Sequence, residues 1–159
     1  MSAEYGDQLI VHFLEKPKEQ YFRSDDGPLR LTILGEFGSP DSRQDELDDE
    51  LSIMTRRLRP ITAIAEEEDL VGRKHNIPVR MIGSEALHSL HYRLANLIED
   101  KYRVGGVVRD EASFRRLYRP YVELGGSIAK GNEIKIRDFS LVKRLGSDLE
   151  VVKTYGFEG

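Results

Sequence analysis

The sequence predicts an α+β domain of two lobes, with antiparallel sheets flanking a central cleft and helices on the outside. Three observations predict it. The first is length: 159 residues are one domain's worth, enough to bury roughly 70% of the surface an unfolded chain exposes. The second is the order of strand and helix signals, β-β-α-β-β-α-(short α)-β-β-β. The third is a weak two-fold repeat. Arg30-Leu31-Thr32-Ile33 stands in an alternating strand over 29–37, and Tyr121-Val122-Glu123-Leu124 in one over 119–128. A proline precedes each (Pro28, Pro120) and a glycine follows each (Gly35, Gly125). Two half-domains facing each other put these strands on either side of one cleft within a single domain, 1–159.

The elements follow from local pattern. Residues 8–14 (QLIVHFL) are rich in β-formers and read as a strand. Residues 15–28 carry turn formers, with Asp26-Gly27-Pro28 a strong breaker. Residues 29–37 alternate through Leu29, Leu31 and Ile33. Ser42 and Asp45 have capping-box spacing, and Leu47, Leu51, Met54 and Leu58 line one helix face that ends before Pro60. Residues 61–65 form a short strand leading into the acids Glu66, Glu67, Glu68 and Asp69. Residues 77–82 form another strand, with Pro78 near its start. Leu87, Leu90, His91, Leu94, Leu97 and Ile98 stripe a helix over 85–102, and Gly105-Gly106 breaks the chain. Residues 110–117 read as a short helix capped by Asp110. Three strands follow, over 119–128, 133–144 and 149–155. The alternation of Ile134 and Ile136 changes phase at Phe139 and Leu141, which predicts a bulge or twist near Asp138.

Composition bounds the chemistry. Hydrophobic residues are 39% and charged residues 33%, a globular rather than a disordered balance. Net charge is −4 and the pI about 5.6, so the molecule is not one that coats nucleic acid by bulk charge. Zero cysteines exclude disulfides, Cys-based zinc sites, Fe–S clusters and thiol nucleophiles. Only His12, His75, His88 and His91 offer imidazole. The start lacks a basic region followed by an apolar run, and no segment approaches the ~20 apolar residues that span a bilayer. The expected address is the cytoplasm. Charge is uneven: residues 41–50 hold six acids and one base, whereas residues 101–137 hold nine bases and four acids. The latter is a solvated face or a surface for phosphates or an acidic partner.

The two tetrapeptides, about ninety residues apart, the amphipathic helix between them, the Arg119-Pro120 lead-in and the closing stretch DFSLVKRLGSDLEVVKTYGF together carry a resemblance. The chain resembles the 2H phosphoesterase superfamily, which includes RNA 2′,3′-cyclic phosphodiesterases, the so-called 2′-5′ RNA ligases and several phage-encoded members. That family carries two copies of His-x-Thr/Ser-x, one in each lobe. One histidine takes a proton, the other gives one, the hydroxyls hold the phosphate, and no metal is needed. The matching positions here are Arg30, Thr32, Tyr121 and Glu123, so both motif histidines are missing. Arginine cannot act as a general base. Tyrosine, with an ordinary pKa of ~10, is a poor exchange for imidazole. Glu123 sets a negative charge where a phosphate should sit. The resemblance therefore implies a degenerate site with no catalytic residues. Arg30 retains a phosphate-binding option, or else pairs with Glu123 across the cleft. Tyr121 either stacks a base or is an amphipathic residue on a sheet face.

Other constellations are weaker. His88 and His91 have metal-ligand spacing, but His91 shares the apolar stripe and reads as a packed histidine, so no metal is expected. His12 faces solvent or enters the cleft as a surrogate base, and His75 reads as a loop residue. The run Gly125 to Gly131 lacks phosphate-loop spacing, Glu66 to Asp69 read as a solvated loop or, only if they converge with Asp48 and Asp49, a hard-cation site, and no GxSxG occurs. The expectation is a non-catalytic binding module without cofactor, acting on a protein partner, for example as a phage effector that inhibits a host protein in the host cytoplasm. Two alternatives remain. One is a nucleotide or RNA-end binder using Arg30, Thr32 and Tyr121 with a secondary basic patch of Arg115, Arg116 and Arg119. The other is an active phosphodiesterase using His12. No membrane partner is expected.

Overall fold

The computed structural model describes residues 7–25, 27–99, 105–108, 114–123 and 128–159. Its first strands are β1 (Gln8–Phe13), β2 (Tyr21–Arg23) and β3 (Arg30–Gly38). In β3, Leu31 and Ile33 are fully buried while Arg30 and Thr32 are half-buried, the two-residue alternation of a strand. Then come α1 (Gln44–Arg57), the hairpin of β4 (Ile61–Val71) and β5 (Ile77–Gly83), α2 (Glu85–Glu99) and β6 (Val107–Val108). The chain closes with β7 (Tyr121–Glu123), β8 (Glu133–Ile136), β9 (Asp138–Leu145) and β10 (Asp148–Gly156). The described strands form two antiparallel sheets, ordered β2-β10-β9-β1-β3-β6 and β7-β5-β4-β8. The α+β architecture with two sheets is thus observed.

One apolar cluster joins both sheets and both helices, through Ile10, Leu31, Phe37, Leu51, Ile82, Leu94 and Phe139. Burying each such side chain contributes about 1.5–3 kcal/mol relative to exposure. The α2 stripe lies in this core as its spacing requires, and the Ser84 hydroxyl accepts a bond of 3.1 Å from the Leu87 N–H to cap the helix. A second cluster, Val11, Phe13, Val142 and Leu149, covers the other face of the six-stranded sheet. Val11 stands opposite Thr32 and Phe13 opposite Arg30, so this is the face that carries the motif residues of β3.

Several sequence expectations are corrected. β4 does not stop at residue 65 but runs through the four acids to Val71. Among the described residues its outer half pairs with β5 alone, and its exposed carboxylates keep their hydration. The supposed turn region 15–28 contains β2, which is held to the sheet edge by β10. The capping box at Ser42 does not form. Residues Asp41–Arg43 make a 3₁₀ turn, and Gln44 Nε2 instead donates to the Ser39 hydroxyl at 2.6 Å. After Gly105-Gly106 the chain does not simply break but adds β6 to β3. The phase change near Asp138 is larger than a bulge: β8 and β9 belong to different sheets, and the chain passes between them at Arg137. Of the expected helix over 110–117, Arg115–Leu117 is a 3₁₀ turn, and Asp110 lies outside the described residues. So do residues 100–102 of the expected α2 and residues 124–127 of the expected strand over 119–128.

Candidate functional site

Arg30 and Thr32 on β3 and Tyr121 and Glu123 on β7 converge on one pocket, a cavity of about 150 Å³ completed by Ser24 and Asp25. Alternation explains the convergence. Residues two apart on each strand share a face, and the two strands present those faces to the same cavity. All four residues expected at the cleft therefore meet.

Arg30 is held in the pocket wall by its neighbours. Arg30 donates from Nη2 to the Ser24 carbonyl at 2.8 Å and from Nη1 to the Pro28 carbonyl at 3.2 Å. Its guanidinium lies over the Phe22 ring, 5.3 Å from the centroid. Gly27 lets this happen, because a Cβ there would stand 2.2 Å from a Phe22 ring carbon and 3.0 Å from Arg30 Nη1. Burial lowers the Arg30 pKa from its ordinary value, the charge of Glu123 opposes that, and Arg144 adds to it. The group remains a cation. Among the described residues no ion pair joins Arg30 to Glu123. The expected alternative of a lock across the cleft is not what the geometry provides.

No imidazole enters the pocket. His12 stands opposite Leu31, so it belongs to the buried face of the sheet rather than the face of Arg30 and Thr32. Its Nδ1 lies 3.0 Å from the Asp138 carbonyl and 3.1 Å from Asp138 Oδ1. Both positions considered for it, facing solvent or in the cleft, are corrected by its burial and this register. His75 sits in the β4–β5 turn at a φ of 50°, a loop residue as expected. His88 meets the Tyr118 ring edge-on at 5.3 Å.

His91 is only 1% exposed and ties β3 to the 3₁₀ turn at Arg115–Leu117. Its Nε2 accepts the Arg115 backbone N–H at 2.7 Å, which makes Nδ1 the donor to the Ile33 carbonyl at 2.8 Å. Its ring stacks on Tyr118 with centroids 4.1 Å apart, and the Tyr118 hydroxyl donates to the Thr32 carbonyl at 2.8 Å. Burial lowers the His91 pKa and raises that of Tyr118, so both rings stay neutral near neutrality. Both nitrogens of His91 are taken, so the His88–His91 spacing offers no metal pair. Arg115 has a positive φ of 55°, a strained backbone for arginine that the His91 bond helps hold. Tyr118 and Phe22 escaped the sequence reading; no periodicity marks a residue that acts through one long-range bond or ring contact.

The secondary basic patch does not extend the pocket, which none of Arg115, Arg116 and Arg119 lines. Arg115 donates to Asn96 Oδ1 and Glu99 Oε1, each at 2.9 Å. Arg119 is paired with Asp69. Asp48 takes bonds from Lys153 at 2.8 Å and Tyr155 at 2.7 Å, and among the described residues the acids of β4 form no cluster with it that could hold a metal ion. Of the glycine run, Gly125, Gly126 and Ser127 lie outside the described residues, and the Gly131 N–H donates to the Ala65 carbonyl at 2.8 Å as the chain turns toward β8. A larger hollow of about 480 Å³ lies over the same sheet face, between residues 16–20 and the Ser140 and Thr154 hydroxyls.

Two facing antiparallel sheets with one motif strand each define a 2H phosphoesterase-like fold, and solved structures agree. The chain is similar to TT0787 of Thermus thermophilus, at 13% identity and a TM-score of 0.60, covering 96% of this chain and 98% of that one. It is similar to Escherichia coli LigT in complex with 3′-AMP, at 14% identity and a TM-score of 0.59, covering 98% and 100%. LigT in complex with NADP+ gives 14% identity and a TM-score of 0.60, with the same coverage. No protein-family model and no curated protein sequence matches the chain. No helix among the described residues is long and apolar enough to cross a membrane.

Proposed function

We propose that this chain is a non-catalytic binding module on a 2H phosphoesterase-like fold, and that its pocket receives a side chain of a protein partner. The observation that carries this is the side-chain set of the pocket: Arg30, Thr32, Tyr121 and Glu123, with no imidazole. Arg30 cannot accept a proton and already commits donors to two carbonyls. Glu123 repels a phosphate and attracts a donor, and Asp25, paired with Arg23 at 3.4 Å, lies at the same pocket. The cavity, about 150 Å³, also falls below the 300–1,000 Å³ or so of ordinary small-molecule sites. It is sized for one side-chain head group. The test is capture from the native host with the wild-type chain and with Glu123→Arg. A protein retained by the wild type and lost from the variant is expected. No retained protein, or one retained equally by both, contradicts the reading.

A second reading, nucleotide or RNA-end binding, is favoured by the larger hollow, where Lys16 and Lys18 stand over the face that carries Arg30. Titration with 3′-AMP and short oligoribonucleotides separates the two. Saturable, salt-sensitive binding that disappears in Arg30→Ala and Lys16→Ala supports the second reading.

A further inference from the structure

Among the described residues the outer half of β4 has one hydrogen-bonded neighbour strand. β8 pairs with residues 61–64, and the Ala65 N–H and carbonyl bond to Asn132 and Gly131. Beyond that point β5 is the one paired neighbour among the described residues, with Glu68 opposite Arg80 and Leu70 opposite Pro78. Register fixes which backbone groups point outward. The Ile82 N–H donates to Pro120, on the β7 side, so its partner Ala65 directs its own groups away from β5. Arg80 and Pro78 precede Ile82 at intervals of two along β5, so their partners Glu68 and Leu70, beyond the register shift after Ala65, also direct their N–H and carbonyl groups to the open side. Pro78 has no N–H to offer, which agrees with that assignment. The Leu70 N–H is held meanwhile by Asp69 Oδ1 at 2.8 Å.

Side chains along this edge are exposed, with Leu70 at 50%. Glu67 is paired with Lys130 and Asp69 with Arg119, while the carboxylates of Glu66 and Glu68 have no ionic partner among the described residues. Such an edge rejects a second copy of itself, because like acids would face each other. It matches an extended segment that places basic side chains beside Glu66 and Glu68. The cations Arg73 and Lys74 at the hairpin tip make the far end of that segment acidic or neutral.

We propose that residues 66–71 take an extended segment of a partner protein as an added strand in the line of β8, with basic side chains against Glu66 and Glu68. This rests on the reading of the chain as a protein-binding module but uses a surface separate from the pocket. A peptide test therefore leaves the pocket reading standing whatever its result.

The probe is a fluorescent ten-residue peptide of alternating Lys and Val. A second version is N-methylated on one edge, and a third has Glu in place of Lys. Anisotropy and amide hydrogen exchange are read on the full chain. Binding of the Lys–Val peptide is expected, with slowed exchange at Glu68 and Leu70. N-methylation or the double variant Glu66→Lys/Glu68→Lys weakens it about tenfold or more. Leu70→Pro abolishes it with the melting transition kept, because that N–H serves no bond to β5. No binding of the Lys–Val peptide, equal binding of the N-methylated or Glu peptide, equal binding to Leu70→Pro, or protection away from residues 66–71 overturns the proposal.

Discussion

His91 holds two backbone groups that no other side chain serves, the Ile33 carbonyl and the Arg115 N–H. His91→Phe keeps the ring on Tyr118 but orphans both, and is expected to cost about 2–4 kcal/mol in urea unfolding. The same residue sets a pH dependence. Burial depresses its native pKa below the ordinary 6.5, with His88 and Arg115 adding to the depression and the bond to Ile33 opposing it. Stability from this group is full above pH ~6.5, where both states are neutral. It falls as pH drops toward the native pKa, because the unfolded chain takes up the proton first. In His91→Phe that part of the acid loss is absent, which stability measured between pH 7 and 5 reads directly. Gly27 is the second residue with a sharp consequence. Gly27→Ala drives a methyl into Phe22 and Arg30 and is expected to destabilise by about 1–3 kcal/mol and reshape the pocket.

At the scale of elements, the parts with a strong period were legible. The α2 stripe predicts the burial of Leu87, Leu90, His91, Leu94, Leu97 and Ile98, and the alternation of β3 predicts that of Leu31 and Ile33 but not of Leu34 and Gly35, which are buried in succession, while Leu29 is only half-buried. The outer half of β4 was not legible, since its exposed acids carry no apolar alternation and only pairing with β5 makes them a strand. β2 and β6 are two or three residues long and exist through their neighbours, which a local reading cannot supply. The β4–β5 hairpin projects exposed side chains, so replacing residues 67–76 by a short turn is expected to shift the melting temperature by only about 2–4 °C. A larger shift would show that the hairpin tip supports the core.

For the whole molecule, the pairing of Arg30 and Thr32 with Tyr121 and Glu123 was readable from the repeat, and the structure brings all four to one cavity. What the repeat could not contain is the occupancy of the Arg30 donors or the face on which His12 falls. The first depends on carbonyls of the β2–β3 loop, the second on the register of β1 against β3. The first ties two of the Arg30 donors to backbone and the second turns His12 away from the cleft, so the titratable groups that β7 sets beside Arg30 are the Tyr121 hydroxyl and the Glu123 carboxylate. The central claim is that the domain binds and does not react. Incubation of the purified chain with 2′,3′-cyclic nucleotides, followed by chromatography, tests it most directly. The account predicts no product above the buffer control. Turnover that persists through purification and is lost in His12→Ala or Tyr121→Phe would contradict it.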